Sequence, residues 1–296
     1  YFHIVFTLPQ ELNSLCLMNK KQLYGILFKA SAESITMLCK DKKYLGAAPG
    51  IISVLHTWGQ NLMDHPHIHM IVTAGGLSKS TNKWVNSRKK FFLPVKVISA
   101  VFRGKFLSKL KQLYQQEELT LIGGNTGLKT PKKFNELLTS LYVKRWVVYS
   151  KKPFGKVSNV LKYLGRYTHK IAISNHRIVG IEKGEVSFKW KDYRDKNTVK
   201  EMVLKAEEFI RRFMLHTLPK GFFKIRYYGL IANKTKKKNL KKVRKELKVE
   251  VSQSIKIIET WQEQLLRLTG FNVFKCPKCK LGQMHMIKVL AGLHPT

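Results

Sequence analysis

Acidic side chains are scarce in this sequence: 18 aspartates and glutamates stand against 55 lysines and arginines in 296 residues, a formal net charge of +37. Such a surplus repels itself unless a polyanion is near, so nucleic acid is the first partner to expect and a membrane surface the second. Long apolar runs are missing too. None approaches the ~20 residues that span a bilayer, and no basic segment leads into an apolar cleavage region at the start, so the reading is a soluble intracellular protein with no membrane role. Cysteine is limited to four residues, too few for a disulfide scaffold. Cys16 and Cys39 read as buried thiols, whereas Cys276 and Cys279 form a CPKC pair better suited to metal. No internal repeat is visible. The chain opens on Tyr1 without a methionine, inside a predicted strand, so an upstream segment is expected and the chain reads as truncated at its N-terminus.

Apolar residues make up 44% and aromatics 11%, enough to build a folded core and more aromatics than small lysine-rich ribosomal or chromatin proteins usually carry. Alternation in FHIVFTL predicts a strand over 2–8, stopped by Pro9. A helix follows over 20–39. Strands over 51–57 and 67–73 flank a polar loop at 59–64 and pair as a hairpin. Residues 79–130 read as basic loop with a helix over 106–116, and a proline starts the next helix over 131–141. RWVVYS is a strand, 157–168 has helical spacing, and strands over 177–181 and 186–190 turn at Lys183 and Gly184. Helical pattern resumes over 206–218 and again over 252–268. Between them NKTKKKNLKKVRKELK is either a solvated helix face or a mobile phosphate-binding arm. The fold class is α+β, a central antiparallel sheet flanked by helices, with a basic helical C-terminal region and a partial zinc-ribbon-like tail.

Two patterns carry chemistry. In HPHIH, His65, His67 and His69 alternate at the entry to an apolar strand, and the period of two puts His67 and His69 on one face, close enough to share a metal ion. A third protein ligand is required, and Gln60, Asp64 and His169 are the candidates. In KYLGRYTHK, Tyr163 and Tyr167 are four apart and share a helical face among Lys162, Arg166, His169 and Lys170, surroundings that suit phosphate. A tyrosyl oxygen can attack a phosphodiester and keep the bond energy for rejoining, provided a cation offsets the charge. Imidazoles alone would suggest zinc. No glutamate sits near HPHIH to serve as the general base of a zinc hydrolase. Trp84, Trp146, Trp190, Tyr193, Tyr227 and Tyr228, interleaved with cations, suit either stacking of unpaired bases or core packing.

Taken in order, FTLP, HTWGQ, HPHIH, RWVVYSKKPFG, YLGRYTHKIAISNHR, WKDY and FIRRFMLHTLPKGFFKIRYYG resemble the two-tyrosine rolling-circle transposases of bacterial insertion sequences, members of the HUH endonuclease superfamily. The resemblance covers nearly the whole chain. It implies a histidine pair on a central strand with the tyrosine helix across it. His67 and His69 would hold magnesium or manganese, and Tyr163 and Tyr167 would be nucleophiles that each leave a 5′-phosphotyrosine and a free 3′-hydroxyl. The partner implied is single-stranded DNA at element ends and target, gripped by Lys162, Arg166, Lys170 and Arg145, in a bacterial cytoplasm and on the nucleoid. The family commonly carries a cysteine-rich zinc module ahead of FTLP, which this chain lacks. Cys276 and Cys279 resemble half of a C-terminal zinc site, with His285 and His294 as candidates to complete it.

The organisation expected is a nuclease and strand-transfer domain over 1–195, a helical extension packed on it over 196–232, a lysine-rich arm and helix over 233–270, and the partial zinc-ribbon-like tail over 271–296. A replication initiator or relaxase would share the chemistry but matches WVVYSKKPFG and AISNHR less well. A decayed cationic DNA binder without catalysis is the alternative from another class. Oligomeric state and target sequence are not readable from these residues.

Overall fold

Phe2, Ile4 and Phe6 alternate with His3, Val5 and Thr7, so β1 (Phe2–Thr7) offers an apolar row to one side and a second row, led by a histidine, to the other. The same two-faced pattern runs through its neighbours in the computed structural model, which describes residues 1–78, 80–87, 93–151, 172–193, 195–249, 259–270, 272–276 and 278–285. β2 (Ala48–Trp58) and β3 (Asp64–Leu77) form the predicted hairpin, and β1 pairs with β3 so that Val5 faces His69 and Thr7 faces His67. With β4 (Trp84–Asn86), β5 (Val148–Lys151) and β9 (Ile225–Gly229) the antiparallel sheet runs β5-β1-β3-β2-β9, and β4 pairs with β3. β6 (Ile178–Glu182), β7 (Glu185–Asp192) and β8 (Thr198–Lys205) make a second, three-stranded antiparallel sheet.

The helices are α1 (Asn13–Met18), α2 (Lys20–Lys40), α3 (Val95–Gln115), α4 (Pro131–Val143), α5 (Ala206–Met214), α6 (Lys236–Glu246) and α7 (Trp261–Thr269). Ile4, Phe6, Ile51, Leu55, Ile68, Met70 and Val72 bury the apolar face of the large sheet against Leu23, Leu27 and Phe28 of α2 and Ile98, Phe102 and Phe106 of α3. Phe102 meets Phe6 edge-on at 4.9 Å and Trp146 at 5.3 Å between ring centroids. The indole N–H of Trp146, which could not be left bare in this interior, donates to the Leu141 carbonyl at 2.9 Å.

α3 begins at Val95, well ahead of the expected 106. Val95, Val97, Ile98 and Val101 are poor helix formers, but Ile98, Phe102, Phe106 and Leu110 recur every four residues, and burial of that stripe outweighs local propensity. α5 ends at Met214, short of the expected 218. β4, β8 and β9 fall where no strand was expected, because exposed lysines and glutamates break the alternation in β8 and the other two are short. The lysine-dense stretch is a helix, α6. The expected helix over 157–168 lies outside the described residues.

Two units divide the chain, Tyr1–Lys248 and Val249–Thr296. The smaller contains α7, opened by a capping box in which Thr260 and Glu263 satisfy each other's end of the helix and closed by Gly270 at φ +74°.

Candidate metal centre

Two strands bring three histidines together on the face of the large sheet opposite α2 and α3. His67 and His69 come from β3, as their spacing requires, and His56 comes from β2, directly across from His67. One ring nitrogen from each of the three lies within 4.8 Å of the others. His67 Nε2 and His69 Nε2 are 3.1 Å apart. The far nitrogen of His67 fixes its side of this contact. His67 Nδ1 is 2.6 Å from the His65 carbonyl, which can only accept, so the proton sits on Nδ1 and neutral His67 has a bare Nε2. His69 Nδ1 is 3.0 Å from His3 Nε2, and when it donates there its own Nε2 is bare as well. In that tautomer two nitrogen lone pairs face each other, an arrangement that suits a shared cation.

Electrostatics favour the same state. Burial first, then the neighbouring imidazoles, push His67 down to about 4 against the partial support of its bond to His65. His69 is lowered further for the same reasons, with burial foremost and His67, His56 and His3 adding to it. Neutral imidazole is the form that ligates a metal. The donor set therefore fits a divalent ion: three imidazole nitrogens converge, those of His67 and His69 kept neutral by burial, and among the described residues no carboxylate joins them.

The surroundings hold the rings in place. Trp58 stacks on His56 at 4.6 Å and 14°, and the Lys224 ammonium lies over Trp58 at 5.0 Å. His216 donates from Nε2 to the Leu62 carbonyl at 3.0 Å and accepts the Thr57 hydroxyl at Nδ1, 3.2 Å away. That bond braces the β2–β3 turn, where buried Leu62 has φ +61°, a conformation that costs a side-chain-bearing residue roughly 1–3 kcal/mol. A cleft of about 490 Å³ opens over the histidines, walled by Trp58 and Gln60 from β2 and its turn and by Ile173, His176, Arg177 and Tyr193 around the small sheet. Arg177 ties the two walls together by donating to the carbonyls of Gln60 and Lys189.

A protein family described as "Putative transposase" (Y2_Tnp) matches residues 50–239 of this sequence. The chain belongs to this transposase family. It is 41% identical over 295 residues to "Putative transposase y4qJ" of Sinorhizobium fredii, across 99% of this chain and 74% of that relative. It is 30% identical over 249 residues to the transposase for insertion sequence element IS801 of Pseudomonas savastanoi pv. phaseolicola, across 83% of this chain and 58% of the relative. Among solved structures it is similar to the conjugative relaxase TrwC in complex with mutant oriT DNA, at 11% identity and a TM-score of 0.30 over 57% of this chain and 73% of that one, a likeness too distant to carry any inference.

Within the transposase, the residues singled out from sequence fall into three groups. His67 and His69 come together as expected. The third imidazole beside them is His56, which stands in HTWGQ but offers no signal there, since only the pairing of β2 with β3 brings it across from His67. Of the proposed third ligands, Gln60 lines the cleft wall and reaches Tyr193 Oη at 3.4 Å. Asp64 lies on the opposite face, buried toward α1 and α2, where neither carboxylate oxygen has a hydrogen-bond partner and burial raises it to about 7 against the lowering effect of Lys20. Its parity on the strand differs from that of the histidines. His169, with Tyr163, Tyr167, Lys162, Arg166 and Lys170, lies outside the described residues. Arg145 is exposed just ahead of β5, beside a hollow it shares with Lys96 and Arg103 and away from the histidine cleft.

In the smaller unit, the Gly282 N–H reaches Cys279 Sγ at 3.4 Å and the Cys276 N–H donates to the Gly282 carbonyl at 2.8 Å. The Gly282 N–H, with that of Leu281 and the Cys276 side chain, holds the Cys279 thiol below its ordinary value. Among the described residues, which include His285, no third ligand groups with this pair; His294 lies outside them. No described helix is long and apolar enough to cross a membrane.

Proposed function

We propose that the transposase nicks and rejoins single-stranded DNA through 5′-phosphotyrosine intermediates, with a divalent ion held by His56, His67 and His69. The convergence of three imidazoles on an open cleft, in a chain of this family, is the observation that carries the reading. Tyr163 and Tyr167 are the nucleophiles on the strength of their spacing in KYLGRYTHK and the family resemblance. In each attack the phenolic oxygen forms a bond to phosphorus as the bond to the 3′-oxygen breaks, leaving a free 3′-hydroxyl whose later attack on the phosphotyrosine reverses the exchange. The number of phosphoester bonds is unchanged, so no outside energy source is required.

A bound magnesium or manganese ion would supply charge neutralisation at the scissile phosphate, the main contribution phosphoryl transfer asks of a protein site. The chain's own part is placement. His67 and His69 are fixed by their Nδ1 partners and His56 by the Trp58 face, so the nitrogens are pre-set. Tyr193 on the cleft wall suits the stacking of unpaired bases, and Lys162, Arg166, Lys170 and Arg145 suit phosphate. The same reading puts the protein on the nucleoid in the bacterial cytoplasm, and leaves Cys276 and Cys279 as half of a zinc site.

Incubation with end-labelled single-stranded DNA spanning an element end, with manganese, should give a covalent adduct on a denaturing gel. The adduct should vanish when Tyr163→Phe and Tyr167→Phe are combined. An adduct that survives the double substitution overturns the nucleophile assignment, and absence of any adduct overturns the nuclease reading.

A further inference from the structure

The histidine cleft leaves the most concentrated charge in the transposase unexplained. α6 reads KKKNLKKVRKE, with seven cations and one acid in 11 residues. Two other helices pair cations of theirs: Arg211 and Arg212 of α5 close on Glu208, and Arg267 of α7 closes on Glu259. Among the described residues no cation of α6 meets a carboxylate. Lys237 and Lys241, Lys238 and Lys242, and Lys241 and Lys245 are instead like-charged neighbours one turn apart, each pair costing the helix about 0.2–0.5 kcal/mol. A sequence with that much self-repulsion is expected to fray unless something else holds it.

Tertiary anchors hold it. Val243 is buried against Leu77 of β3 and Leu230, with Trp84 and Ile231 beside them. Asn239 Nδ2 donates to the Leu230 carbonyl at 2.9 Å, and Lys242 Nζ to Asn82 Oδ1 at 2.9 Å. The approach to the helix is equally determined. Gly229 turns the chain out of β9 at φ +62°, and a Cβ there would collide with the Pro49 carbonyl oxygen. With the inner face fixed in this way, Lys237, Lys238, Lys241 and Lys245 are left exposed. The result is an anchored cationic array, where a mobile arm of the same composition could have spread its charges further apart.

Its position is informative. The anchor Leu77 lies eight residues along β3 from His69, about 26 Å at ~3.3 Å per residue, which is about eight base pairs of duplex at ~3.4 Å each. We propose that α6 is a second DNA-binding surface, separate from the histidine cleft, which grips the phosphate backbone of duplex DNA flanking the point of cleavage. The placement relative to cleavage rests on the proposed function, whereas the binding surface itself does not. Contacts of this kind position a duplex and read no sequence.

The test uses the full chain and fluorescent duplex DNA of about 20 base pairs, with affinity followed against salt. Replacing Lys237, Lys238, Lys241 and Lys245 together by glutamine should lower the slope of log affinity against log salt by about 3 to 4, at ~0.9 per phosphate contact, for any duplex sequence. A control quartet, Lys111, Lys129, Lys132 and Lys133 to glutamine, removes the same charge from exposed positions on and around α3 and α4 and should change the slope by less than about 1. Circular dichroism should show the α6 variant melting no lower than the parent, since the substitutions relieve repulsion. Equal effects from the two quartets, or none from the first, overturn the proposal. Because no cleavage is read, a protein that loses duplex affinity through α6 but never forms an adduct would remove the nuclease reading and leave this surface in place.

Discussion

His3 Nε2 lies 3.0 Å from His69 Nδ1, with the two rings parallel to within 1°. β1 thus reaches the histidine cluster through a histidine that is not itself in the candidate ligand group. Such outer partners fix ring orientation and commonly alter metal affinity by about 10- to 100-fold when lost. His3→Ala should weaken Mn2+ binding by about that factor in titration calorimetry while the melting temperature changes little, and His3→Gln should recover part of the loss. Unchanged affinity in His3→Ala would remove His3 from the centre.

His56 supplies the nitrogen that sequence spacing does not reveal. His56→Ala should weaken Mn2+ binding and adduct formation by more than about 100-fold, on a par with His67→Ala. Gln60→Ala and Asp64→Asn should leave Mn2+ affinity within about threefold of the parent. A larger loss from either than from His56→Ala would reassign the third ligand.

Burial keeps His67 neutral down to about pH 4. Lowering the pH from about 7.5 to about 5.5 should therefore leave Mn2+ uptake nearly unchanged, where imidazoles of ordinary pKa near 6.5 would compete protons against the ion. A steep fall centred near pH 6.5 would contradict the described environment.

Asp64 carries the opposite kind of shift, from 3.8 to about 7. Its protonated form suits the folded state, so its contribution to stability is complete below about pH 4 and is lost as pH rises through about 7. The lost stability is on the order of 4 kcal/mol, at ~1.36 kcal/mol per unit. Asp64→Asn should flatten this part of the pH dependence in urea unfolding and make the variant the more stable protein at pH 8. A parent whose stability is level between pH 4 and pH 7 would refute this.

Much of this was legible because strand periodicity is short and strict. The alternation of Phe2, Ile4 and Phe6 gave β1, and HPHIH gave two ligands on one face. The same parity rule sets Asp64 on the other face, so that one discrimination was available without coordinates. His56 was not, because its position depends on which residues of β2 and β3 pair, and the ladder shifts register between His56 and Trp58. α3 was read short because its first turns are β-branched and only tertiary burial of Ile98 and Phe102 makes them helical. α6 was ambiguous because its charge argues for a solvated arm, and the anchors that settle it, Leu77 and Leu230, are distant in sequence.

The two rows of β3 have a genetic consequence. Ile68 and Met70 face the helices while His67 and His69 face the cleft, so deleting one residue from the strand would exchange the rows on one side of the lesion. Imidazoles would be driven into oil and aliphatic groups turned outward in the same event. Copies of the element that erode by small in-frame losses at this place should be cleared by proteases, whereas copies that erode by point substitution of a histidine can persist as well-folded, inert protein.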